Sequence, residues 1–257
     1  HKVFPELKGK ESPALIFARG VANIAITGSG TINGQGAHQN FQHGNDSKGG
    51  PRRPKIIYFI GCNNVRVQDV TLRNSAYWTQ DYEKCNGVIV RGVKVYSHAN
   101  WNNDGLDIDS RNVVVSDCYI DCDDDALCLK SDTDTPCENV TVTNCVLKSN
   151  CNAIKFGTSS YSGFKNVTIS NCTIDRASED HIRQWYKNYP WIGTKHKTVV
   201  AGIALESVDG GIIENVSISD IAMQGVQTPI FVRLGDRKRT FSKQMSRIND
   251  VMISRII

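Results

Sequence analysis

Three things are scarce in this chain: long apolar runs, concentrated positive charge and a recognisable leader. No stretch of about 18 apolar residues occurs, so nothing in it reads as a membrane-crossing helix. The formal charge is only +4 over 257 residues, of which 40% are hydrophobic and 22% charged, the balance of an ordinary soluble protein. Basic residues are scattered apart from Arg237-Lys238-Arg239, which argues against a nucleic-acid footprint. The chain opens at His1 with no charged segment followed by an apolar one, so no signal peptide is visible, as is also the case in a processed or cloned fragment.

What is abundant is a repeat. Asn23-Ile24-Ala25-Ile26, Asn64-Val65-Arg66-Val67, Gly87-Val88-Ile89-Val90, Asn112-Val113-Val114-Val115, Asn139-Val140-Thr141-Val142, Asn166-Val167-Thr168-Ile169 and Asn215-Val216-Ser217-Ile218 recur, with Asp250-Val251-Met252-Ile253 as a further copy. Starts from Asn64 to Asn166 are 23, 25, 27 and 27 residues apart. That period signals a solenoid, and β-branched residues at alternate positions make each unit a coil of strands, not helices. The predicted fold is all-β, a single-stranded parallel β-helix forming one domain over residues 1–257. Within Asn112 to Ile120, Val113, Val115, Cys118 and Ile120 face inward, and the change of phase at Ser116-Asp117 marks a bend.

The repeat also governs how the nine cysteines are read. Val70, Val93, Cys118, Cys145, Cys172 and Ile221 fall in one column, and Cys62, Cys85 and Cys137 in a second. Cysteine replaces an aliphatic in each, as a buried thiol can. Mostly reduced, stacked cysteines are expected; Cys122, Cys128 and Cys151 fit neither column, and a disulfide among them stays open.

Two stretches leave the period. Residues 36 to 54 are rich in Gly, His and Pro and read as a long loop. Between Asn166 and Asn215 lie 49 residues, about two coils' worth, including His181, Arg183, Trp185, Tyr186, Tyr189 and Trp191. Aromatics there either stack on a sugar or cap the strand stack. The last apolar residues, Val251, Ile253, Ile256 and Ile257, have no polar cap, so missing flanking sequence is expected, with burial against a partner or returning loop as the alternative.

The chemistry concentrates between Asn102 and Ser131. Asn102-Asn103-Asp104-Gly105-Leu106-Asp107 is followed one repeat later by Asp123-Asp124-Asp125-Ala126-Leu127-Cys128-Leu129-Lys130-Ser131. Asp104, Asp125 and Asn152 each precede by two residues the first inward aliphatic of its coil, so three successive coils aim polar groups at one spot. Neighbouring carboxylates can divide general acid and general base duties, as glycoside hydrolysis requires. Lys130 and Lys155 flank the spot on outward positions suited to anionic sugars. An Asp-rich turn with no catalytic role is the plainer reading of such residues; the shared register argues against it.

These motifs, with Asn74-Ser75-Ala76-Tyr77-Trp78-Thr79 upstream, resemble glycoside hydrolase family 28, the polygalacturonases and rhamnogalacturonan hydrolases. The similarity runs from Gly28 to about Asp220. It implies a right-handed β-helix that cleaves pectin with inversion and needs neither metal nor cofactor. By this resemblance Asp124 protonates the departing oxygen, while Asp104 and Asp125 orient and deprotonate water. Coil spacing alone does not fix the stereochemistry: about 4.8 Å between coils lies nearer the roughly 5 Å carboxylate gap of retaining enzymes than the 6.5 to 9.5 Å of inverting ones.

Two departures from the family pattern bear on substrate. Asn152 stands where a histidine is expected, and Ala204-Leu205-Glu206 falls where an Arg-Ile-Lys motif grips a galacturonate carboxylate. The subsite then takes a neutral sugar or borrows cations from Lys155, Arg183 or Arg233, and a rhamnogalacturonan or side-chain glycan is expected ahead of plain homogalacturonan. The expected binding set is Asn102, Asn152, Lys130, Lys155, Arg183 and Arg233. The alternatives are a pectate-lyase-like enzyme that holds calcium and abstracts a proton with Lys130 or Lys155, and a glycan-binding solenoid without turnover. A monomer acting on a pectic poly- or oligosaccharide outside the cell or in the periplasm, with no nucleic-acid or membrane partner, completes the expectation.

Overall fold

The computed structural model describes residues 13–41, 53–179, 199–238 and 244–257. Its strands pair in parallel with the coil before and the coil after, and the stack winds as a right-handed parallel β-helix. Three strand columns run along it. One contains Lys55–Ile60, the start of Gln80–Arg91, the start of Leu106–Ser116, Leu127–Ser131, Asn152–Ser160 and Val199–Ser207. The second carries the repeat itself, with Val65, Val88, Val113, Val140, Val167 and Val216 in one register. The third includes Tyr119–Cys122 and Val146–Ser149.

Alternation decides what fills the interior. In the first column Phe59, Tyr82, Ile108, Leu129, Phe156 and Leu205 stack inward, each essentially without solvent contact. Gln80 is a polar inward residue in the place held by Ile57, Leu106 and Leu127 elsewhere, and Tyr82 donates its hydroxyl to Gln80 Oε1 at 2.9 Å. That bond offsets the cost of burying the Tyr82 hydroxyl and the Gln80 carbonyl oxygen.

The repeat-start residues turn the corner between the first two columns. Asn64, Asn112, Asn139, Asn166 and Asn215 all have φ between 52° and 55°, a left-handed conformation that asparagine tolerates better than other side chains. Gly87 takes the same corner with φ 72°. Their amides also form a ladder outside the coils, Asn139 donating to Asn112 at 3.0 Å and Asn166 to Asn139 at 3.0 Å, while Asn112 donates to Asn86, the neighbour of Gly87, at 2.7 Å. The expected bend at Ser116-Asp117 is a second such corner, with Asp117 at φ 59°.

All nine cysteines are free and buried, so the disulfide left open among Cys122, Cys128 and Cys151 does not form. Those three belong to the turns and wall around the acidic clusters: Cys122 Sγ points at the carbonyls of Asp124 and Asp125, and Cys128 Sγ at that of Gly157. The 49 residues between Asn166 and Asn215 leave the period, as the sequence suggests. Val167 pairs directly with Val216, so Asn166 and Asn215 start adjacent coils. Arg183, His181 and the aromatics of that excursion lie outside the described residues.

Candidate active site

Asp104, Asp124 and Asp125 sit on turns that lead from the third strand column back into the first. Gly105 lets the turns approach: a Cβ there would lie 2.3 Å from Ile120 Cγ2 and 2.7 Å from the Ala126 carbonyl. The backbone N–H of Gly105 donates to the Asp125 carbonyl at 2.8 Å, and that of Ala126 to the Asn152 carbonyl at 2.9 Å. Asp104, Asp125 and Asn152 therefore occupy equivalent places in three consecutive coils. Facing ligand atoms of Asp104 and Asp125 come within 4.8 Å of one another, as do those of Asp124 and Asp125.

Each turn is fixed by its own polar contacts. Ser149 donates its hydroxyl to the Asp124 carbonyl at 2.6 Å, and the Asp125 N–H donates to Asp124 Oδ1 at 3.0 Å. Asn103, fully buried, donates its amide to the carbonyls of Ser75 at 2.8 Å and Tyr77 at 3.0 Å. Arg53, only 2% exposed, donates to the carbonyls of Ala76 and Trp101 and, at 3.0 Å, to Asn102 Oδ1. Its guanidinium also lies 4.8 Å from the Tyr77 ring and 5.2 Å from that of Trp101. Asn102 is thus held by Arg53 beside the acidic turn.

Two lysines set the electrostatics. Lys155 Nζ is 2.8 Å from Asp125 Oδ2, and Lys130 Nζ lies 3.1 Å from Asp107 Oδ1 and 3.6 Å from Asp104 Oδ2. Burial by itself pushes Asp125 up, but the charges of Lys155 and Lys130 and the hydrogen bonds from Lys155 and Asn152 hold it below the ordinary carboxylate range. Asp104 goes the other way: burial raises it well above that range, helped by Asp107 and Asp124. Asp107 is raised to about 7 by burial, opposed by Lys130. The cluster thus contains carboxyl groups displaced in opposite directions, a feature acid–base pairs exploit.

Asp107 had been given no role from sequence. Its signal was its place three residues past Asp104, on the outward side of the strand, where Asp81 precedes it and Cys128 and Lys155 follow in register. Ala204 continues that row beside Lys155, so the coil expected to supply Arg and Lys offers Ala204 and Glu206. Arg233 is next to Glu206 in register, 3.9 Å away and more than half exposed. Asp104, Asp125 and Cys128, or Asp124, Asp125 and Cys151, have the donor types for a metal, though Lys130 and Lys155 already neutralise the first group.

A cleft of about 320 Å³ adjoins the cluster, bordered by Lys55, Tyr58, Trp78, Glu83, Asp109 and Lys130. Neither Lys55 nor Trp78 stood out in the sequence as a cleft residue, because the turns that bring them to Lys130 come from different coils.

The chain is thus a parallel β-helix that carries buried carboxylates beside an open cleft. The sequence pattern of Glycosyl hydrolases family 28 matches residues 4–256, and the chain belongs to that family. A probable polygalacturonase of Arabidopsis thaliana is 32% identical over 128 residues, covering 49% of this chain and 26% of its own length. A probable polygalacturonase of Vitis vinifera is 32% identical over 126 residues, covering 47% and 25%. The matched segments thus span about a quarter of these relatives. Among solved structures, the family 28 exopolygalacturonase of Yersinia enterocolitica superposes with TM-score 0.72 at 19% identity, covering all of this chain and 52% of that one. The Erwinia carotovora polygalacturonase gives 0.65 at 17%, covering 95% and 71%.

Proposed function

We propose that this chain carries the catalytic cleft of a glycoside hydrolase acting on galacturonate-containing pectic polysaccharide or oligosaccharide, with rhamnogalacturonan or side-chain glycans preferred to plain homogalacturonan. The observation that carries the reading is the convergence of Asp104, Asp124 and Asp125 from adjacent coils beside one cleft, in a chain of family 28 whose relatives include proteins named polygalacturonases. Asp124 gives its proton to the departing glycosidic oxygen. Asp125, kept ionised by Lys155 and Asn152, takes the proton of the attacking water, and Asp104 helps to orient it. Water arriving opposite the leaving group inverts the anomeric carbon. The protein works as a monomer, outside the cell or in the periplasm, where polymeric pectin is found.

The preference for a mixed glycan follows from the row beside Lys155. Ala204 and Glu206 provide no cation there, and Lys155 itself is paired with Asp125. Incubation with a panel of pectic polymers, reading product size and anomeric configuration by NMR, tests the proposal. New reducing ends of inverted configuration, formed equally with and without a chelator, are expected. An unsaturated product dependent on calcium points to the lyase alternative, and binding without cleavage to the silent solenoid.

A further inference from the structure

The cleft next to the carboxylates is the part of the groove with no assigned role. Its volume of about 320 Å³ suits a single ring at the small end of ligand sites. Both ammonium groups on its wall are already engaged. Lys55, 4% exposed, lies 2.5 Å from Asp81 Oδ2 and 3.8 Å from the centre of the Tyr58 ring. Lys130 is paired with Asp107. A carboxylate entering the cleft has to share these lysines with the buried carboxylates they already hold, which weakens what either lysine can offer it.

The remaining polar wall sets Glu83 and Asp109 among Tyr58, Thr133 and Ser159. Glu83, half-buried, accepts the Tyr58 hydroxyl at 2.5 Å. Across from it Asp109 accepts the backbone N–H of Asp132 at 2.9 Å, and Thr133 Oγ1 lies 3.4 Å from Asp109 Oδ1. Burial pushes the Asp109 carboxyl up to about 8, so at neutral pH it carries a proton it can donate. Carboxylates accept strongly from sugar hydroxyls, whereas a uronate carboxylate meets like charge at Glu83.

We propose that the cleft between Trp78 and Thr133 is a subsite for a neutral sugar ring, with Glu83 excluding uronate from it. This rests on the hydrolase reading and names one unit of its substrate. Selection therefore acts against the charge of the sugar on this side of the carboxylates, and the wanted chain carries hydroxyls where homogalacturonan carries another acid.

Calorimetric titration of the full chain bearing Asp124→Asn tests this without turnover. The probes are tetragalacturonate and a tetrasaccharide alternating galacturonate with rhamnose. The mixed tetrasaccharide is expected to bind about tenfold tighter or more. Adding Glu83→Gln, which keeps an acceptor for Tyr58, is expected to raise tetragalacturonate affinity about threefold and narrow the gap, with thermal unfolding unchanged. Equal or tighter binding of tetragalacturonate, an unchanged ratio in the Glu83→Gln variant, or binding of neither probe overturns the proposal. Release of reducing ends from pectic polymers by the unaltered chain reports separately on the hydrolase reading.

Discussion

Asn152 donates its side-chain amide to Asp125 Oδ1 at 2.6 Å and its backbone N–H to the same oxygen at 3.2 Å. An amide that cannot titrate thus does for Asp125 what a hydrogen-bonding imidazole could do from the same place. Asn152→Ala removes one donor to the charged form, so the Asp125 pKa rises and the acid limb of the kcat profile moves to higher pH. A fall in kcat of about tenfold, with KM within about twofold, is expected. Initial rates across pH on a soluble pectic oligosaccharide check it.

Asp124→Asn preserves the side-chain shape and removes the transferable proton. Turnover should be abolished while glycan affinity stays near that of the unaltered chain. Reducing-end assays paired with calorimetry separate the two, and retained hydrolysis excludes Asp124 as the acid.

Lys130 holds Asp107 and Asp104 at 3.1 and 3.6 Å with little solvent access. Lys130→Met leaves both carboxyls buried without that countercharge, a loss of about 3 to 5 kcal/mol by analogy with other buried pairs. Neutralisation by proton uptake is the cheaper response, so the variant should be most stable at acid pH. Urea unfolding at pH 5 and pH 8 measures both effects.

Asp109 binds its proton in the fold up to about pH 8 because of burial. In the unfolded chain an aspartate loses it near about pH 3.9. Between those values the folded state holds more protons, so stability falls as pH rises, by up to about 1.4 kcal/mol per pH unit for this one group. Asp109→Asn should flatten the dependence, visible as a smaller difference in Tm between pH 5 and pH 8.5.

Arg53 joins the Tyr77 and Trp101 turns through hydrogen bonds and ring contacts that depend on a planar fork. Arg53→Lys keeps the charge and loses that geometry. A stability loss of about 1 to 3 kcal/mol is expected, together with lower kcat as the Asp104 turn loosens. Denaturant midpoints and steady-state rates on the same preparation test the link.

The coils were legible in the sequence because parallel stacking imposes the same demand on each turn of chain. Inward positions such as Val113, Val140 and Val167 must all be apolar and similar in width, and corner positions such as Asn112 and Asn139 must all accept positive φ. The shared register of Asp104, Asp125 and Asn152 was readable for the same reason. By contrast, the 49 residues from Asn166 to Asn215 equal about two coils in length, and only the pairing of Val167 with Val216 shows that the two starts are neighbours.

Sequence by itself determined the β-helix, the stacking of thiols in place of aliphatics, and the arrival of carboxylates from successive coils at one level. Tertiary structure alone decided the charge pattern: that Lys155 goes to Asp125, Lys130 to Asp107, and Lys55 to Asp81 across a cleft shared by different turns. The physical reason is range. Periodic packing repeats along the chain and leaves a periodic trace, whereas a long side chain selects its partner by distance and burial, which become fixed only when the coils have stacked.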